Sequence, residues 1–186
     1  MLTKRAMNMK KALIGAAGAM TLMVGVTLGG FSSAAAQPVD LTILPVDPNV
    51  VTDSTAWVAG VPVLNPQGQQ GVETVFTHRD GTRTVTDSIA VFNDAAAATS
   101  AMTEARGALG SQIANSTTQP APVGTGGMIA TGTNPDNTRS VAILTFTEGN
   151  TFTTIEFEGP TNDAAPVDLI IDYGQKQAAA IISAGL

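Results

Sequence analysis

The sequence predicts an α+β sandwich: a five-stranded antiparallel sheet with two packed helices, in the order β-β-α-β-β-β-α. Three observations carry that prediction. Beyond residue 71, several stretches alternate apolar and polar residues, the period of a half-buried strand. Short turns join them, leaving no room for the crossovers that a parallel sheet needs. Two other stretches repeat apolar residues at steps of three and four, as helices laid on a sheet do.

The first strand carries Val72, Thr74 and Phe76 in one phase, and Asp80-Gly81 marks a tight hairpin turn. The return strand runs over 83–92 with Val85, Ile89 and Val91 in phase. Asn93 or Asp94 then caps a helix whose stripe is Ala98, Met102, Ala105, Leu109 and Ile113. Gly107 and Gly110 weaken its end. A Thr-, Pro- and Gly-rich stretch, Ser116 to Gly126, reads as a loop. Three further strands follow at 127–132, 139–147 and 151–158, separated by Asn134-Pro135-Asp136-Asn137 and Glu148-Gly149-Asn150. The closing helix opens near Pro166 and buries Val167, Ile170, Ile171, Gly174, Ala178 and Ile181. Asp168 and Asp172 suit the helix's positive end, and Asp172 pairs with Lys176 four residues on.

Ahead of this domain, residues 1–36 read as a secretory signal peptide. Lys4, Arg5, Lys10 and Lys11 precede an uncharged stretch from Ala12 to Phe31. Ala34 and Ala36 then give the small-x-small pattern that places cleavage before Gln37. Met7 or Met9 would start a more compact signal. An uncleaved anchor is the competing reading, because about 20 apolar residues can span a bilayer; the glycines in the stretch and the small residues after it favour cleavage. No cysteine follows to carry a lipid, so a cleaved chain has no stable membrane anchor.

Residues 37–70 carry Pro38, Pro45, Pro48, Pro62 and Pro66, which favours an extended arm over a helical segment. Leu41, Ile43, Leu44 and Val46 make it too apolar for a free tail. The arm is expected to lie against the 71–186 domain with Trp57, the only tryptophan, as its anchor. A strand offered to a partner is the alternative.

Charge and composition remove several functions. The whole chain has a net charge of −6, but the four basic residues of the leader leave with it. Arg79, Arg83, Arg106, Arg139 and Lys176 then stand against 15 acids, a net of −10. Such a surface repels nucleic-acid backbones and anionic lipids, which bind through clustered Lys and Arg. With no cysteine there is no disulfide or thiolate site, and one histidine per chain excludes a multi-histidine metal centre. A monomer without metal or cofactor is expected, since a domain of this size buries roughly 68–70% of its unfolded surface and can fold on its core alone.

The stretch Val141-Ala-Ile-Leu-Thr-Phe-Thr-Glu-Gly-Asn150, then Phe152 to Phe157, then Pro166 with Gln175-Lys176-Gln177, resembles the second half of small secreted mycobacterial and actinobacterial envelope proteins. These are PsbP-like α+β sandwiches and include LpqN-type lipoproteins. The resemblance covers about residues 71–186 and implies an exported protein of that fold. It offers no catalytic residue to carry over, and this chain lacks the lipoprotein cysteine.

Few residues suggest chemistry. His78, in His78-Arg79-Asp80-Gly81, could act as a general base oriented by Asp80 or Asp87; polar residues flanking a turn give the plainer account. No Gly-x-Ser-x-Gly elbow occurs. Glu156 and Glu158 alternate on one strand face, which suits either paired-acid hydrolysis or a solvated face. Asp87 shares the phase of Val85, Ile89 and Val91, so on a core face it needs a partner, and Arg106 or Arg139 could supply one. Gly124-Thr125-Gly126-Gly127 lacks the lysine of a phosphate loop, and Asp136-Asn137 lacks calcium-loop spacing. Asn115-Ser116-Thr117 matches a glycosylation sequon that short chains also produce by chance. The expectation is an exported, non-enzymatic binding or interaction protein of the bacterial cell envelope. Its partner would be an apolar ligand or another envelope protein, with Trp57, His78 and Asp87 as candidate binding residues. The alternative is a secreted hydrolase with a site near His78 and Asp80.

Overall fold

A computed structural model describes residues 39–186, so the basic leader and the expected Ala36-Gln37 cleavage site lie outside the described residues. Among the described residues, eight strands make one antiparallel sheet: β1 (Trp57–Ala59), β2 (Val63–Leu64), β3 (Gly71–His78), β4 (Thr84–Val91), β5 (Ala114–Pro120), β6 (Thr125–Thr133), β7 (Arg139–Glu148) and β8 (Thr151–Pro160). They lie in the order β1-β3-β4-β8-β7-β6-β5, and β2 also pairs with β3. The α+β class and the antiparallel pairing are as predicted; the count of five strands is corrected to eight.

The three added strands share one physical cause. β5 falls in the stretch read as a loop, and after its first residue every position is exposed. An edge strand open on both faces needs no apolar alternation, so it leaves no period-2 signal. β1 and β2 are short pieces of the Pro-rich segment laid on the other edge, against β3. That segment is also more helical than expected. Asp40 and Asp47 accept the backbone N–H groups of Thr42 and Asn49, starting a 3-10 turn at Leu41–Ile43 and a one-turn helix, α1 (Pro48–Thr52). Pro48 sits at the first helical position, where its missing N–H is no loss.

The two longer helices pack on opposite faces. α2 (Ala95–Ala108) starts at Asp94, whose carboxylate accepts the Ala97 N–H at 2.8 Å. Its face of Ala98, Ala101, Met102 and Ala105 packs with Phe152, and Leu109 and Ile113 just beyond it pack on Ala130, Val141 and Ile143. α3 (Val167–Ser183) covers the other face, where Ile170, Tyr173, Ala178 and Ile181 join Leu144, Phe146, Ile155 and Phe157 in the main core. Close approach there depends on Gly174, where a Cβ would lie 2.3 Å from the Leu144 side chain. The central strands serve both layers by alternation. β4 turns Val85, Asp87 and Ile89 toward α3, and Thr86, Ser88 and Ala90 toward α2.

Candidate functional site

The Pro-rich segment, α3 and the sheet meet around a short chain of buried polar groups. Gln177 is fully buried on the α3 stripe, one turn past Tyr173. Its amide nitrogen donates to the Leu44 carbonyl at 3.0 Å, and its amide oxygen accepts the Val46 N–H at 2.8 Å. The Tyr173 hydroxyl donates to the Val46 carbonyl and lies 3.4 Å from Asp87 Oδ2. One hydroxyl has one proton. With that proton on Val46, the contact with Asp87 is satisfied when the carboxyl is neutral and itself donates.

Asp87 fits that role. It is completely buried, and that burial pushes its carboxyl up to about 8. Its Oδ1 makes no hydrogen bond among the described residues, and neither do the buried hydroxyls of Thr74, its cross-strand partner, and Thr153. The suggested arginine partners are corrected. Arg106 reaches across from α2 to Thr145 Oγ1 at 2.9 Å and to the Gly126 carbonyl, and Arg139 Nε lies 3.2 Å from Glu158 Oε2. Both arginines lie on the α2 side of the sheet, whereas Asp87 shares the phase of Val85 and Ile89 and points into the closed layer under α3.

Trp57 and His78 are cross-strand partners on β1 and β3, with ring centroids 5.2 Å apart in an edge-to-face contact. His78 Nδ1 also lies 2.8 Å from Asp80 Oδ1. Asp80 further accepts the Thr82 N–H and hydroxyl, which with His78 hold its carboxyl well below the usual range. Gly81, at φ +72°, lets the turn close. Among the described residues, no serine or threonine hydroxyl bonds the His78 ring.

Beside Trp57 the sheet, α1 and the start of α3 flank an open-mouthed cleft. Val51, Trp57, Val85, Phe157, Leu169 and Tyr173 give it apolar walls, and Arg83, Glu158 and Asp163 stand at its rim. Tyr173 therefore touches the cleft with its ring and Asp87 with its hydroxyl. Two of the three sequence candidates, Trp57 and His78, are brought together, and Asp87 lies beneath the cleft rather than in it. Tyr173 and Gln177 were missed as a polar pair. Their only sequence signal is that a tyrosine and a glutamine fall on an otherwise apolar helical stripe.

The opposite face carries a second depression. Phe92 and Ala101 on the α2 side and the Pro66–Gln70 turn flank a groove floored by Ala90, Phe152, Ser88 and Thr154. Glu73 stands in its wall and accepts the Ser88 hydroxyl at 3.0 Å. Glu156, two residues beyond Thr154 on the same face, is half-buried; burial and the charges of Glu158 and Glu73 push its carboxyl up to about 7.

No protein-family model matches the chain, and no curated protein matches its sequence. Among solved structures the fold is similar to the extracellular domain of PknH from Mycobacterium tuberculosis. The TM-score is 0.54 at 11% identity, over 77% of this chain and 93% of that one. At that identity the likeness establishes a shared α+β fold.

Proposed function

We propose that this chain is an exported, non-enzymatic binding protein of the bacterial cell envelope, a PsbP-like sandwich related to LpqN-type proteins and released by cleavage before Gln37. Its ligand places an apolar group in the cleft beside Trp57. The observation that carries this reading is the cleft itself: six apolar side chains from β1, β4, β8, α1 and α3 converge on one open-mouthed space. Concave, mostly apolar sites with a few polar groups at the rim are where ligands bind. The fold shared with a domain described as extracellular supports the envelope setting. The hydrolase alternative would need His78 as a base, yet its ring is engaged by Asp80 and Trp57 rather than aimed at a nucleophile.

Trp57 reports on its own cleft. Titrating the 37–186 chain with dodecanol should shift Trp57 emission saturably, and Ala164→Phe should abolish the shift by filling the mouth from an exposed position. Emission that drifts without saturating, or a shift that survives Ala164→Phe, would sink the reading.

A further inference from the structure

The groove on the α2 face changes character along its length. Phe92, Ala101 and Phe152 line its apolar end; Glu73 stands level with Ser88 and Thr154 in the lining, and Glu156 lies two residues further along β8 on the same face, just past the lining. Among the described residues, each cation is engaged away from those two carboxylates. Arg106, the basic residue α2 places on this face, is turned onto Thr145 and the Gly126 carbonyl. Arg139 lies against Glu158 and the Thr82 carbonyl. Arg79 bonds the Thr55 carbonyl, Arg83 pairs with Asp80 and Asp163, and Lys176 pairs with Asp172.

We infer that this groove binds a small organic amine: an apolar body between Phe92, Ala101 and Phe152, and an ammonium head against Glu73 and Glu156. Shape and charge both select for it. An alcohol would fill the apolar end and leave Glu73 and Glu156 without a counter-charge. An anion would add to their repulsion, at positions where like charges already oppose one another. Ammonium binding would relieve that repulsion and favour the charged form of Glu156, so binding near pH 7 should expel a proton.

Calorimetric titration of the 37–186 chain with octylammonium, octanol and octanoate, in two buffers of different ionisation enthalpy, tests this. Octylammonium should bind saturably, about tenfold or more tightly than octanol, with proton release and with no octanoate isotherm. Glu73→Gln combined with Glu156→Gln should remove most of that preference and the proton release. The amide oxygen introduced by Glu73→Gln would still accept the Ser88 hydroxyl, so the strand pairing is kept. Dodecanol titration of Trp57 in the same variant should be unchanged, separating this groove from the cleft on the other face. Equal binding of octanol and octylammonium, no octylammonium isotherm, or undiminished binding by the double variant would overturn the inference. A leucyl-lysine amide binding far more tightly than octylammonium would also overturn it, in favour of a side chain from a partner protein.

Discussion

The two faces of this sheet are built from the same strands and end in opposite states. The α3 face is covered by a 17-residue helix and by the 39–56 segment, and it closes over fully buried Phe146, Leu144, Ile155 and Ile89. It also encloses polar groups, Asp87, Gln177, Thr74 and Thr153, of which Gln177 bonds the segment to the helix. The α2 face is covered by a shorter helix whose contact residues are mostly alanines, and it leaves Glu73, Thr86, Ser88 and Glu156 only partly shielded. Alternation assigns residues to a face; the length and bulk of the covering helix decide how far that face is dried. The polar groups sealed under α3, beneath the cleft beside Trp57, serve architecture, and those of the α2 face can meet a ligand.

The sharpest way to break that contrast is to truncate one aromatic on each face. Phe146→Ala removes a fully buried ring from the α3 side and should cost about 4 kcal/mol, as large core truncations do. Phe152→Ala opens into a groove that already exists, so water can follow and the loss should be nearer to about 3 kcal/mol. Urea unfolding of both variants measures the difference. A larger loss at Phe152 would mean the α2 face is the principal core.

Next in size is the clip between α3 and the segment. Gln177→Ala leaves the Val46 N–H and the Leu44 carbonyl without their partner, an expected cost of about 2 kcal/mol. The segment should then detach locally before the sheet unfolds, so limited proteolysis should cut within residues 39–56 while the remainder resists. Cleavage elsewhere first, or resistance equal to wild type, would show that the clip does not hold the segment.

The fold was legible wherever burial imposed a period. The hairpin 71–91, the stripe Ala98–Met102–Ala105 and the closing helix all face a covered layer, and each shows its period of two or near four. β5 faces water on both sides, so Asn115 to Gln119 carries no such record. The short helical turns at Leu41 and Pro48 were signalled by Asp40 and Asp47, capping residues that the surrounding prolines obscured. Asp87 could be placed on a core-facing phase, but its partner could not, because Tyr173 is 86 residues away and reaches it only through the packing of α3. The groove on the α2 face was half visible: Glu156 and Glu158 were on one strand face, yet Glu73 joins them only through the pairing of β3, β4 and β8.

A further contrast separates the faces by pH. Asp87 on the closed face and Glu156 on the open face both hold their protons above the usual carboxylate range, to about 8 and about 7. Between the ordinary carboxylate range and those values the folded chain binds protons that the unfolded chain has released. Stability therefore falls as pH rises across that window. The depressed acids, Asp40, Asp80 and Asp136, act below it, where their contribution is lost on acidification. The urea midpoint should thus decline from about pH 5 to about pH 8.5. Asp87→Asn, neutral at every pH, should be close to wild type at the acidic end and flatten the decline near its upper end. Glu156→Gln should flatten the lower part, because its proton leaves first. A wild-type midpoint that rises over this range, or an Asp87→Asn slope identical to wild type, would show that the buried carboxyl is already charged and that the closed face holds an ion rather than a hydrogen-bond donor.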